Sequence, residues 1–392
     1  MIVVIPCYDE PEISATINSL CSCSDPGVSV GVVVVVNSAE NSPEEVKLQN
    51  RTTIIEISSM LGEMPAWLHL SWIESANLPS KHAGVGWARK IGMDWAVTHF
   101  NRNNNDRGII ISLDADTIVD QDYFSAIYSF FTKETKRVGA TIYFEHPISD
   151  DITGEAIVFY ELYMRYYKHA LAFTAFPNSF YTVGSCFAVL ASAYVAQGGM
   201  NRKKAGEDFY FLHKLSLLGE LGVIKSTTVS PSSRFSNRVP FGTGKVLQQY
   251  SNGDRDIELT YSIESFLVLK DFFASVEYYY LNSRSLKKSD FSKDAVFQQF
   301  CVEINFLPDL LQLISNCSSL HIFRKRFFHL FNAFIVLKWL NFALQNGFAK
   351  GNIILECSKL LHLLSVDNSK IPDSPKLMLS FFRKMDNESD NR

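Results

Sequence analysis

The sequence predicts an α/β protein, a Rossmann-like mixed sheet flanked by helices and followed by a mostly α-helical C-terminal region. Two observations lead there. Apolar β-branched runs alternate with stretches of helical spacing up to about residue 250, and beyond that point helical periodicity takes over. Residues 2–6 (IVVIP) and 30–36 (VGVVVVV) lack polar alternation, as expected of central parallel strands covered on both faces. Between them, residues 12–20 have helical spacing. A third strand is expected at 53–57 (TIIEI), a helix over 83–100, and a fourth strand at 108–113 (GIIISL) running into Asp114-Ala115-Asp116. A helix over 120–136, a strand at 139–144, a long aromatic helix over 155–173 and a strand at 181–190 continue the pattern. Gly206 introduces a helix that starts at Glu207 and reaches about residue 218. Residues 230–245 (SPSSRFSNRVPFGTGK), rich in Ser, Pro and Gly, read as a loop. Helices are then expected over 258–281, 293–314, 324–346 and 353–364, with a polar, frayed tail at 386–392. The implied domains are 1–250 and 251–385.

Composition sets the outer limits. A chain of 392 residues is too long for one ordinary core, which favours two domains. Thirty Phe and 16 Tyr point to a filled interior or an aromatic binding surface. The formal net charge of −4 gives no global attraction to nucleic acid, so an anionic ligand needs a local cluster of cations. Seven cysteines with no CxxC pair or zinc-finger spacing read as reduced packing thiols. The opening MIVVIP reads as a buried strand rather than an export signal, so a cytoplasmic location is expected. The apolar stretch 327–348 is interrupted by His329, Asn332, Lys338, Asn341 and Gln345 at helical intervals. That pattern fits a buried core helix with a polar stripe. An in-plane helix at the inner face of the membrane is the alternative, and it would bring peripheral membrane contact.

Chemistry concentrates at three places. Strand side chains alternate with period two, so Asp114 and Asp116 are expected to point to one side where the fourth strand ends, in the crevice where open α/β sheets bind ligands. Two such carboxylates make a hard-oxygen site for one Mn²⁺ or Mg²⁺, completed by phosphate oxygens. Lys81, Arg89, Arg234, Arg238 and Lys245 are the local cations available to a diphosphate. The acidic pair Glu207-Asp208 opens a helix. Taken singly, each motif has a plainer reading: a D-x-D after a strand is also a solvated acidic turn, and an acidic pair at a helix start complements the macrodipole.

Together and in this order, these residues resemble the family 2 glycosyltransferases, nucleotide-sugar-dependent enzymes of the GT-A fold, over about residues 1–250. Ile5-Pro6-Cys7-Tyr8-Asp9-Glu10 is similar to the family's first motif. Gly84, Ala88, Arg89 and Gly92 match its G-x-x-x-A-R-x-x-G segment, with Lys90 where Asn is common. Asp114 and Asp116 match its DxD motif, and Glu207-Asp208 its acidic pair. The resemblance implies donor binding by Pro6, Tyr8, Glu10, Asn37, Lys81, Arg89, Asp114, Arg234 and Arg238, and a divalent metal on Asp114 and Asp116. It implies a nucleotide-sugar donor and a carbohydrate or lipid-linked acceptor. Asp208, with Glu207 beside it, is the implied base of an inverting transfer. Two departures stand out. Asn37-Ser38 follows the second strand where an acidic residue often holds the base, and Arg234 and Arg238 lack the Trp of the processive synthases' (Q/R)xxRW signature. The chain also lacks the Gly-rich, Arg-containing loop that a sugar-nucleotide pyrophosphorylase places after its first strand. A non-catalytic binding protein on the same fold is the remaining rival.

Overall fold

The computed structural model of the chain describes residues 1–81, 83–204, 206–235 and 243–388. Its chain divides into two compact units, residues 1–157, 181–253 and 387–392 in the first, and residues 158–180 and 254–386 in the second.

The first unit is built on an eight-stranded mixed sheet. Its strands are β1 (Ile2–Cys7), β2 (Val30–Ala39), β3 (Leu68–Leu78), β4 (Ile109–Ser112), β5 (Ile118–Val119), β6 (Gly139–Phe144), β7 (Phe187–Leu190) and β8 (Leu221–Ser230), in the order β3-β2-β1-β4-β7-β6-β8-β5. β1 runs parallel to β2 and β4, with Val4 opposite both Val33 and Ser112, whereas β7 is antiparallel to β4 and β6. The chain builds outward from β1 through β2 to β3 and then returns to β4 on the other side. Strand order therefore reverses beside β1, which makes the carboxyl ends of β1 and β4 the place where a sheet of this kind binds ligands. Val4, Ile5, Val33, Val34, Ile110 and Ile111 are fully buried, which accounts for their unbroken apolar runs.

Helices α1 (Ile13–Cys21), α2 (Glu44–Met60), α3 (Val85–Arg102), α4 (Tyr123–Lys133), α5 (Ile152–Phe173), α6 (Ala191–Ala196), α7 (Glu207–Leu215) and α8 (Thr243–Ser251) join these strands. α3 lies close against β1 and β2 because Gly92 has no side chain; a Cβ there would run into Val4 and Val35.

The expected strand at 53–57 is instead part of α2. Thr53, Ile57 and Met60 are buried at helical intervals while Ile55 is 69% exposed, so a short β-branched run was overridden by the periodicity of its longer surroundings. The third strand is β3, whose place at the sheet edge leaves all but Leu68 and Leu70 of its residues partly or fully exposed. β8 alternates buried and less buried residues along LGVIKSTTVS and was also missed. The strand expected at 181–190 is confined to β7, and α8 begins inside the expected loop.

The second unit contains α9 (Ile263–Ala274), α10 (Val276–Leu281), α11 (Ala295–Glu303), α12 (Phe306–Ser315), α13 (Leu320–Leu330), α14 (Ala333–Gln345), α15 (Ile353–Leu363) and α16 (Pro375–Glu388), with a two-residue pairing of β9 (Leu259–Thr260) and β10 (Gly351–Asn352). The abundant phenylalanines fill this interior: the Phe272 ring lies 4.8 Å from Phe331 and 4.9 Å from Phe297. Three expected helices are divided. The segment 258–281 holds α9 and α10, and 293–314 breaks at Asn305, whose φ of 55° cannot continue a helix. The segment 324–346 breaks where Asn332 caps α14, accepting from the Phe334 amide at 3.0 Å and the Ile335 amide at 3.3 Å. α14 buries Val336, Trp339 and Leu340 and exposes Lys338 and Asn341, as the polar stripe requires. Among the described residues no single helix is long and apolar enough to cross a membrane. α13 and α14 pass such a test only as a pair bent by 55°.

A sealed ionic network also lies in this unit. Arg165 pairs with Glu161 at 2.6 Å and with Asp386, which also binds Lys168 at 2.8 Å and His169 at 3.0 Å. Arg383 holds the other oxygen of Glu161 at 2.7 Å.

Candidate active site

The end of β1 supplies the first wall. Past Cys7 the chain turns at Asp9, φ 52°, and brings Glu10 inside, 1% exposed. Helix α2 fixes this turn: Asn50 accepts from the Asp9 amide at 3.0 Å and donates to the Asn37 carbonyl at 2.9 Å, while Thr53 donates to the Glu10 carbonyl at 3.0 Å. Pro6 therefore sits at the end of β1, half-buried Tyr8 follows it, and buried Asn37 lies at the end of β2.

Arg89 supplies the centre. α3 places its guanidinium inside the unit, 2% exposed, where it forms ion pairs with Asp114 and Glu207. Its Nε donates to Ser112 Oγ at 3.0 Å, and that hydroxyl donates to the Gly184 carbonyl at 2.7 Å. Gly184 is required there because a Cβ would collide with the guanidinium. One side chain thus ties the end of β4 to the start of α7. The start of α7 is shaped by Gly206, φ 68°, and by Asn201, which donates to the Glu207 carbonyl at 2.9 Å.

Charge burial tunes these acids. Burial pushes the Glu207 carboxyl up, with Arg89 opposing it. The Asp208 carboxyl is pushed up to about 7, first by burial and then by the neighbouring Glu207 charge. Burial works against the charge of Arg89, but Asp114 and Glu207 outweigh it and its pKa is raised.

Arg234 forms the second cluster. Its guanidinium pairs with Glu10, with Glu12 at 3.1 Å and with Asp116 at 3.2 Å. β4 ends at Ser112, so the strand pleat no longer governs the two aspartates, and each takes its own arginine. Of the other expected residues, Lys81 is exposed in the turn before α3 and joins no ion pair among the described residues. Lys245 lies on α8. Arg238 lies outside the described residues.

Asp114 and Asp116 are the carboxylates a metal would use. No group of three or more His, Cys, Asp or Glu side chains converges to hold an ion among the described residues. The Asp116 side chain is 27% exposed and already faces a cation, Arg234, so its surroundings favour positive charge. Two such carboxylates fit a divalent ion whose remaining positions are filled by water or by the oxygens of a bound diphosphate. Sequence reasoning overlooked Glu12, Asn50, Ser112 and Gly184. Ser112 carried a signal, as a polar residue ending the buried run Ile109-Ile110-Ile111.

Comparison with known proteins adds the family. A search of curated proteins finds no match. Among solved structures, S. aureus TarS in complex with UDP is 14% identical over 59% of this chain and 60% of that one, with a TM-score of 0.39. TarS in complex with UDP-GlcNAc is 12% identical over 99% of this chain and 88% of that one, with a TM-score of 0.43. The family model described as glycosyl transferase family group 2 matches residues 109–345, starting at β4 and running to the end of α14. That span takes in Asp114, Asp116, Glu207 and Asp208, omits the Pro6 and Arg89 motifs, and reaches well past the expected limit near residue 250. The chain belongs to glycosyltransferase family 2.

Proposed function

We propose that this protein transfers a sugar from a nucleoside diphosphate sugar to an acceptor hydroxyl, with inversion, in the crevice at the carboxyl ends of β1 and β4. The observation that carries the reading is Arg89, whose buried guanidinium binds Asp114 of the D-x-D turn and Glu207 of the acidic pair together. It brings the diphosphate end and the base end of an expected reaction to one place.

The acceptor oxygen attacks the anomeric carbon, the bond from that carbon to the diphosphate oxygen breaks, and Asp208 takes the hydroxyl proton. A base with a pKa of about 7 is half ionised near neutrality, which suits proton abstraction there. Arg89 fixes the start of α7 and so orients Asp208. Asp116 and Asp114 would hold a divalent ion, which when bound supplies positive charge to the leaving diphosphate. Arg234 is the side chain placed to meet diphosphate oxygens, since a guanidinium binds them bidentately.

Transfer from UDP-, GDP-, CDP- and dTDP-sugars to a panel of saccharide acceptors tests this reading. Asp208→Asn is expected to lower kcat by about 10² to 10⁴ while leaving donor binding in place. Equal kcat in the variant would remove Asp208 as base. A lipid-linked acceptor at a membrane surface is a second reading, favoured by α13, where exposed Arg324, Lys325 and Arg326 adjoin exposed Ile322. Absence of co-sedimentation with anionic vesicles would dispose of it.

A further inference from the structure

Arg234 stands where the metal reading needs a cation. Its guanidinium contacts three carboxylates at once: Glu10, which is 1% exposed, Glu12 at 3.1 Å and Asp116 at 3.2 Å. Glu10 is anchored independently, accepting from the Glu12 amide at 2.9 Å on its other oxygen, and therefore stays in place whether or not Arg234 does. The Arg234 Nε is buried without a hydrogen-bond partner, so the seat matches the two terminal nitrogens and leaves the third donor unmet. Arg234 lies on Oδ2 of Asp116, so a divalent ion bound to that carboxylate would sit within a few Å of the guanidinium and be repelled by its like charge.

We infer that Arg234 is the built-in counter-cation of the Asp116 site and must be displaced before a divalent ion binds there. The inference rests on the metal reading given above. It follows that the free protein holds metal poorly, and that a diphosphate, by offering the displaced guanidinium new anionic oxygens, opens the site to the ion. Arg234 is then the residue that makes metal and diphosphate enter together.

The test is a titration of the full-length protein with Mn²⁺ alone, followed by the loss of the free-ion electron paramagnetic resonance signal. Arg234→Met is expected to bind Mn²⁺ more tightly than the native protein, within the range of about 5- to 150-fold typical of coupled sites. Arg234→Lys, which keeps the charge without the planar fork, is expected to fall between them. Adding Asp116→Asn to Arg234→Met is expected to cancel the gain, which locates the ion. Circular dichroism and the thermal midpoint establish that each variant is folded. Equal Mn²⁺ affinity in native protein and Arg234→Met, with binding still lost on Asp116→Asn, would overturn the role of Arg234 and leave the metal site standing. No Mn²⁺ binding by any of the folded proteins would overturn both.

Discussion

Arg89 and Arg165 are both buried arginines that hold two carboxylates, and they differ in what those carboxylates reach. Around Arg165 the groups it pairs with are closed: the side chain is 0% exposed, Glu161 0% and Asp386 4%. Around Arg89 the guanidinium and Glu207 are each 3% exposed, but the Asp114 side chain is 37% exposed and Asp208 is half-buried beside it. A sealed network can only join segments, here α5 to α16. An open one holds charge at a surface where a ligand can use it. The same ionic chemistry joins segments in one place and, in the proposed reaction, serves the transfer in the other.

The largest expected effect divides them. Removing one partner of a buried ion pair leaves an uncompensated charge, so Arg165→Met and Arg89→Met should each cost about 3 to 5 kcal/mol of stability. Only Arg89→Met should also lower kcat/KM per folded molecule. Denaturant titration with activity measured on the folded fraction separates the two, and a comparable loss of specific activity in Arg165→Met would break the comparison.

A smaller effect appears with pH. Asp208 must be ionised to act as a base, so kcat/KM should rise with pH and pass half its plateau near pH 7. Asp386 behaves otherwise. Burial alone would raise its pKa, but His169, Lys168 and Arg165 pull it well below the usual carboxylate range. Its contribution to stability is therefore complete above the unfolded-state pKa of about 3.9 and is lost as pH falls below it. Activity should change between pH 6 and 8 while the stability owed to Asp386 does not. An activity profile flat across that range would remove Asp208 from the reaction.

Least affected should be the surface pair Arg324–Glu277, at 2.5 Å with side chains 56% and 51% exposed. Arg324→Ala is expected to move stability by no more than about 1 kcal/mol, measured by the denaturation midpoint. A larger loss would mean that exposure is a poor guide to the worth of these ion pairs.

What could be read from the sequence follows the same division between closed and open settings. β1, β2 and β4 were legible because sealed strands are uniformly apolar, and the D-x-D and Glu-Asp pairs because acids at element ends are visible without knowing their partners. β3 was hidden by its exposed edge, and β8 by an alternation interrupted at Lys225, Ser226 and Thr227. TIIEI misled because five residues cannot show whether their period is two or 3.6. Partners were harder than elements. Nothing local to Arg89 reveals Glu207, and nothing near Arg234 reveals Glu10 and Glu12, since these pairs form only when distant segments meet. The network of Arg165 with Asp386 escaped notice altogether, because α5 and the final helix are joined only by the fold.

The central claim is that the crevice beside Asp114 and Asp116 binds a nucleoside diphosphate. Calorimetric titration of the native protein and Asp116→Asn with UDP, GDP, CDP and dTDP, in the presence of Mn²⁺, tests it most directly. Binding of one of the four by the native protein, lost or strongly weakened in the variant, is the predicted result. Binding of none, or equal binding by both proteins, would contradict the account.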